Sequence, residues 1–415
     1  MSTLKVNKLR DTSGSTDAIV LDPSGGAVLA GVTTISTARI TTGITTSIQV
    51  GGGVTISESG IEASGIGITC ANINGTQIGG RRNIIINGAM MVAQRGTSAT
   101  ASSGYTTVDR FSQSASNLNN NCDIAQEGLT SGNAYNNGFR KSYKVTNGDN
   151  NADSDDQSKI NHLIEAQDLT NSGWSHKNPN SFATLSFWVK SSVAQTFSVA
   201  IYAEDANMGY GFEYSATTSW TKITHSIPGH ASLGINNDNG TGFNIQWYLY
   251  MGTDTTSSSF TNADWHTYSG SSRSKDMTTT WQTTNDATFE ITGVQLEVGT
   301  QATPFEHRSF GEELTLCQRY FEKMVINTYP MFPAGNNGVN NETRMPFKVE
   351  KRAAPTVTKS GDLNLTLNGT TSTNTDHNLG SASIYGAKIF AVVSGSNYTS
   401  STAVSAFTCL ADAEL

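Results

Sequence analysis

Charge is the scarcest property of this 415-residue sequence: only 14% of its residues are Asp, Glu, Lys or Arg. The 26 Lys and Arg are outnumbered by 34 Asp and Glu, and Arg81-Arg82 and Lys351-Arg352 are isolated pairs, not clusters. Nucleic-acid binding needs grouped cations that displace counterions from phosphates, so no nucleic-acid partner is expected. Cysteine is rare as well. Cys70, Cys122, Cys317 and Cys409 are far apart, with neither the ligand spacing of a zinc site nor the density of a disulfide-stapled domain, and they read as free, buried thiols. No apolar run approaches the ~18 residues of a spanning helix, so no membrane insertion is expected. The opening Met1-Ser-Thr-Leu-Lys5 continues into Lys8, Arg10 and Asp11 without the apolar core of a secretory leader.

Glycine, in contrast, fills 40 positions, and Ser, Thr and Asn occupy much of the remainder. With 6 Trp, 13 Tyr and 16 Phe and a net charge of only −8, the chain has the side chains for real cores and lacks the charge excess of a disordered one. This is the composition of a β-rich extracellular or virion protein. Without a leader, such a chain is expected outside the cell by another route, such as lysis.

The text divides into four segments. Residues 1–31 hold a strand-like Leu4-Lys-Val-Asn-Lys-Leu9 and two apolar runs about Pro23-Ser-Gly-Gly26, and are read as an attachment segment. Residues 32–82 are repetitive and Gly-punctuated, and Ile44, Ile48, Val54, Ile56, Ile66 and Ile68 recur at strand spacing. One such strand cannot bury its narrow apolar row. Three identical chains turning those rows to a common axis can, which predicts a homotrimeric β shaft. Residues 83–310 carry longer alternating strands, at 183–190, 197–203, 219–227, 243–251 and 287–298, separated by Asn-Gly turns such as Asn87-Gly88 and Asn239-Gly240. These predict an antiparallel jelly roll or β-sandwich. Residues 311–415 open on one short helix, expected over 310–323 with Leu314, Cys317, Tyr320 and Phe321 on its apolar stripe, and continue as a separate C-terminal β domain at the distal tip. The fold class is all-β.

Four ordered blocks carry a more specific signal. They are Asn83-Ile-Ile-Ile-Asn-Gly-Ala-Met-Met-Val-Ala-Gln-Arg-Gly96, Val108-Asp-Arg-Phe111, Leu185-Ser-Phe-Trp-Val-Lys-Ser-Ser192 and Ile291-Thr-Gly-Val-Gln-Leu-Glu-Val-Gly-Thr-Gln-Ala-Thr-Pro-Phe-Glu-His-Arg308, extended by Glu312-Glu-Leu314 and Leu316-Cys-Gln-Arg-Tyr-Phe321. In this order they resemble a family of bacteriophage tail-fibre proteins. The resemblance implies a jelly roll similar to carbohydrate-binding modules, on a homotrimeric fibre whose far end meets the host surface. It does not cover residues 1–80.

Catalytic signatures are missing. There is no nucleophile elbow and no H-E-x-x-H, and the seven histidines show no ligand spacing. Glu204-Asp205 reads as a solvated loop pair, not the two carboxylates of a glycosidase, and His307 as a structural hydrogen-bonding residue. The stretch Asp149-Asn-Asn-Ala-Asp-Ser-Asp-Asp156 departs from an EF-hand at Ser154 and Ile160, and is read as a solvated loop. No cofactor is expected, a structural Ca²⁺ entering only by analogy with carbohydrate modules. Alternation supplies candidates for sugar stacking: Trp188 falls on the polar face of its strand, Tyr202 on that of the next, read as its hairpin partner, and Tyr248 and Tyr250 on one face of a third. The expected function is attachment of a virion to a bacterial surface glycan without cleavage, with tail or neck proteins meeting the N-terminal segment. A structural head or neck fibre or decoration protein, and a tail-spike depolymerase, are the alternatives.

Overall fold

The computed structural model describes residues 82–326, 340–360, 363–367, 370–374, 377–392, 401–403 and 407–415, and six short strands before residue 64. The chain divides into two compact units, Met1–Cys70 and Ala71–Leu415. It is mostly antiparallel sheet with few helices, as its alternation requires.

In the first unit, β1 (Lys8–Arg10), β2 (Asp17–Leu21) and β3 (Ala27–Leu29) form one small sheet, and β4 (Ser47–Val50), β5 (Val54–Ser57) and β6 (Gly60–Ala63) another. Ile19 lies opposite Leu29, so the two apolar runs about the Pro-Gly segment do pair. Ile48 lies opposite Ile56, Val50 opposite Val54, and Ile56 opposite Ile61. The backbones of these strands pair within the chain. Hairpin-length connections make the local pairing the cheaper closure. Ile44, Ile66 and Ile68 lie outside the described residues.

The second unit contains twelve strands in two facing sheets. In chain order they are β7 (Ser98–Ala99), β8 (Ser112–Ser116), β9 (Asp123–Gly128), β10 (Lys141–Thr146), β11 (Gln157–Glu165), β12 (Phe182–Ser191), β13 (Gln195–Ala203), β14 (Met208–Ala216), β15 (Thr221–Pro228), β16 (Thr241–Met251), β17 (His266–Thr267) and β18 (Thr288–Val298). Sheet I runs β15-β12-β18-β10-β9-β7, and sheet II runs β17-β14-β13-β16-β11-β8. Short helices α1 (Gly132–Asn136), α2 (Ala166–Thr170) and α3 (Thr280–Thr283) close loops.

The core fills from alternate positions. Ala183, Leu185, Phe187 and Val189 of β12 are fully buried against Phe197, Val199 and Ile201 of β13 and Ile245, Trp247 and Leu249 of β16. Phe187 meets Trp247 edge-on at 5.8 Å between ring centres, and Phe197 meets Phe289 at 5.1 Å, the geometry that aromatic quadrupoles favour. The consecutive strands β12 and β13 belong to opposite sheets, so the expected hairpin does not exist. At Ser191 the chain leaves sheet I and arches across, its amide bonded to the Thr217 carbonyl.

Beyond the sandwich comes α4 (Phe310–Gln318), capped reciprocally: Ser309 Oγ accepts from the Glu312 amide at 3.3 Å, and the Ser309 amide donates to the Glu312 carboxylate at 2.9 Å. It stops five residues before the expected end. From Phe321 the residues alternate, Glu322 and Met324 buried and Lys323 and Val325 exposed, and they form β19 (Phe321–Ile326). The helix packs Cys317, with Tyr320 just beyond it, on Ile86 and Val92. Then follow β20 (Asn340–Pro346), β21 (Thr356–Ser360), β22 (Leu363–Leu367), β23 (Thr370–Asn374), β24 (His377–Ser383), β25 (Gly386–Val392), β26 (Ser401–Ala403) and β27 (Phe407–Asp412), in sheets β19-β27-β21, β20-β25-β24 and β23-β22-β26. Cys122, Cys317 and Cys409 are free and buried, and Cys70 lies outside the described residues. Burial drives all three thiols away from ionisation, Cys409 up to about 12.

The C-terminal strands are not a detached domain, for a polar seam ties them to the sandwich. Arg110, in the left-handed backbone region and 1% exposed, donates to the Glu414 carboxylate and the Leu163 carbonyl while its guanidinium lies 3.4 Å from the Tyr320 ring centre. Arg95 stacks on Phe321 at 3.6 Å and pairs with Asp412 at 3.0 Å. Arg319 reaches back to Glu165 at 2.7 Å, and the buried Lys351 pairs with the buried Glu322 at 2.6 Å. Asn87 and Arg308 complete the seam: Asn87 bridges Val92 and Asp109 and its amide donates to Glu313, while Arg308 binds the Ile85 carbonyl.

Removing one member of a buried pair strands the other charge. Arg110→Met is therefore expected to lose ~3–5 kcal/mol of unfolding free energy, measured by urea titration. A loss under ~1 kcal/mol would show that the seam carries no such load.

Candidate functional site

The polar positions of the two sheets point outwards, and what covers them decides which can meet a ligand. On sheet I the segment Gly299–Arg308 crosses the face. Thr184 Oγ1 donates to the Gly299 carbonyl at 2.7 Å, Ser226 Oγ to the Thr300 carbonyl at 2.8 Å, and the Glu306 amide to Gln295 Oε1 at 2.8 Å. Thr184 and Ser186 are consequently buried although they lie on the polar side of β12. Trp188 is half-buried at the edge of this cover, where it lines a pocket of about 210 Å³ with Phe139, Phe305, His307, Lys222 and Asn137. Phe305 meets Phe139 edge-on at 4.9 Å, and the His307 ring lies 5.3 Å from Phe139 and 4.9 Å from Phe305. His307 thus acts through ring packing, where the sequence suggested a hydrogen bond. Gly293, at φ +62, makes room: a Cβ there would lie 2.5 Å from Phe139 and 2.9 Å from Trp188.

Sheet II presents a different face. Register places Asn161 opposite Gln246, Gln246 opposite Ala200, Tyr202 opposite Asn244, and Lys159 opposite Tyr248, so these side chains share the outer side. The amides Asn161 and Gln246 are only 6% and 7% exposed. Asn161 Nδ2 reaches Ser112 Oγ at 3.5 Å, and Tyr248 donates to Gln246 Oε1 at 2.8 Å. Asn244 Oδ1 is buried and has no hydrogen-bond partner; the same holds for Asn262 Oδ1, whose amide nitrogen donates to Glu213 of β14. Buried carbonyl oxygens left unpaired are costly, and that of Asn244 lies beneath the surface of the face. Tyr202 and Tyr268, both half-buried, lie with ring centres 4.1 Å apart, and Tyr202 Oη donates to Asn207 at 3.3 Å. Burial, then the Glu204 carboxylate, raises the Tyr202 phenol above its usual range, so it is a neutral hydroxyl at any working pH.

The four aromatic candidates therefore do not form one platform. Trp188 and Tyr202 belong to opposite sheets. Tyr248 has no exposed surface, because Ala200, Met251 and Met277 close over it, and Tyr250 is 4% exposed with its hydroxyl at the Asp153 carbonyl. Neither offers a ring face. Alternation placed Gln246 beside Tyr248 correctly but gave no sign of the loop above them. Asn161, Tyr268, Lys159 and Arg273 come from strands and loops without a local motif, and only the register gathers them.

The acidic 149–156 loop is exposed at 150, 151 and 153–155, as its sequence suggests, and anchored by its two buried end residues. Asp149, 1% exposed, accepts from the amides of Asn119, Asn150 and Asn151, and Asp156 from that of Asp153. Among the described residues no group of three or more His, Cys, Asp or Glu is placed to hold a metal ion, and no helix is long and apolar enough to cross a membrane. Asp205 of the Glu204-Asp205 pair receives Asn236 through two bonds of 2.9 and 2.7 Å.

No family model matches the chain, and no curated protein does. Solved structures that it resembles include carbohydrate-binding modules. They include the family 11 module of a cellulosomal cellulase of Clostridium thermocellum (11% identity, 50% of this chain and 95% of that one, TM-score 0.25). The CBM22-1 xylan-binding domain of Paenibacillus barcinonensis (9%, 49% and 94%, TM-score 0.23) is another, and TmCBM61, solved with β-1,4-galactotriose (8%, 52% and 98%, TM-score 0.23), a third. At these scores the likeness carries no argument, and the β-sandwich stands on its own strand order.

Gly293→Ala is expected to cost ~1–3 kcal/mol, since the added methyl meets two rings and the backbone is left-handed. Thermal unfolding measures the loss, and a changed Trp188 emission, by difference against Trp188→Phe, locates it.

Proposed function

We propose that the chain is a phage fibre protein that attaches the virion to a bacterial surface glycan as a homotrimer and does not cleave it. The observation that supports glycan contact is on the outer face of sheet II: the half-buried Tyr202–Tyr268 ring pair beside the polar row of Asn161, Gln246 and Asn244. Sugar hydroxyls need fixed donors and acceptors, and the apolar C–H face of a sugar ring needs an aromatic shelf. That face has both. Trp188, in its pocket on sheet I, is a second stacking position of a smaller kind.

The fibre part of the reading rests on the ordered blocks of residues 83–321 and on the Gly-punctuated rows before them. Shallow sites suffice in such an architecture, because three copies per fibre multiply weak contacts through effective concentration. Residues 1–31 are the segment for a tail or neck partner, and the working location is the virion after host lysis.

Retention of the purified chain on a bacterial glycan array, without release of reducing ends, tests the attachment reading. Tyr202→Ala is expected to weaken retention about tenfold, the equivalent of one stacking contact, and Trp188→Ala less. No retention of the native chain on any glycan would overturn the reading. Trimerisation is tested separately by sedimentation: Ile56→Asp is expected to yield monomers, because carboxylates gathered at a three-fold axis are costly to bury. An intact trimer in that variant would remove the shaft from the account.

A further inference from the structure

Lys159 stands on the outer face of sheet II, half-buried, between Ser114 of β8 and Tyr248 of β16. The loop after β17 brings Arg273 to the same strand, where its Nη1 meets Gln157, two residues before Lys159, and its charge repels that of Lys159. Arg273 is held by neutral partners: its Nε donates to the Gly270 carbonyl at 3.0 Å and its Nη1 to Gln157 Oε1 at 3.1 Å. Among the described ion pairs neither cation appears, although the chain carries 34 carboxylate side chains. Two like charges close together, partly withdrawn from water and without a counterion among the described ion pairs, destabilise the fold that holds them. Arg273 also keeps Nη2 free for a planar acid group, and its guanidinium lies 6.0 Å from the centre of the Tyr268 ring.

We propose that this face selects an anionic sugar, its acid group held between Lys159 and Arg273 while the ring lies toward Tyr268 and Tyr202. This deepens the glycan reading and rests on it. The shared chemistry is a carboxylate or phosphate on a saccharide, and a uronate and a sugar phosphate are its two sources. Desolvation, with repulsion from Arg273, lowers the Lys159 ammonium to about 8, so affinity for an acidic ligand falls as pH rises through that value and the ammonium discharges. The other titratable group facing Lys159 is Tyr248, which burial keeps neutral, and the carboxylates of Asp153 and Asp156 act on Tyr250 further along the strand.

The full chain is titrated with alginate oligosaccharides, with the same oligosaccharides after reduction of their carboxylates to alcohols, and with glycerol-phosphate oligomers. One of the two acidic probes is expected to bind, about tenfold more weakly in Lys159→Gln and in Arg273→Gln, as for loss of one charge-assisted contact. Its affinity is expected to decline between pH 7 and 9 in the native chain and to stay level in Lys159→Arg. Lys159→Met is expected to raise the thermal midpoint while weakening binding, which separates a ligand contact from a structural one. Equal binding of the reduced probe, or an affinity unchanged in Lys159→Gln, would overturn the acidic assignment and leave the Tyr202 shelf standing. Binding of none of the three probes, with Tyr202→Ala still impaired on the glycan array, would overturn the acidic class alone, and loss of the Tyr202 effect as well would remove the site.

Discussion

The guanidinium of Arg110 is the point on which the second unit depends. It is fully enclosed, yet it touches the sandwich through the Leu163 carbonyl, the residue after the helix turn through Tyr320, and the segment after β27 through Glu414. A charge of that kind is tolerated only if all its partners are in place together, so it converts separate packing events into one cooperative arrangement. The same holds around it, at Arg95, Arg319 and Lys351. A chain with few charges gathers them at this seam, and apolar side chains fill the space between the two sheets.

That division frees the outer faces. Core packing is complete without them, so their polar side chains are constrained only by whatever loop lies above. On sheet I the Gly299–Arg308 segment satisfies most of them and leaves one aromatic pocket. On sheet II the cover closes over Tyr248 but leaves Tyr202 half-buried, Asn244 Oδ1 unpaired, and Lys159 and Arg273 outside the described ion pairs. Side chains unsatisfied by their own fold are the ones with interaction energy left for a ligand.

Much of the sandwich was legible in the sequence because alternation is a local property. The inner row of β12, from Ala183 to Val189, and the extents of β13, β15, β16 and β18 follow from residues two apart. Alternation says which side chains share a face and nothing about which sheet a strand joins, which is why β12 and β13 looked like a hairpin. Nor does it say what covers a face, so Tyr248 and Tyr250 read like Tyr202. The strands β8 to β11 escaped notice because polar residues interrupt their apolar rows, as Ser158 and His162 do beside Ile160 and Ile164 in β11. Helix periodicity and strand periodicity both fit Tyr320 and Phe321, and tertiary pairing with β27 decided for the strand.

The three enclosed thiols bear on how the molecule ages. Oxidation of cysteine proceeds through the thiolate and needs access for the oxidant. Cys122, Cys317 and Cys409 offer neither, since burial suppresses ionisation at each. Among the described residues of this second unit, therefore, no thiol is ready to cross-link, and oxidation at these sulfurs waits on how rarely the surrounding structure opens.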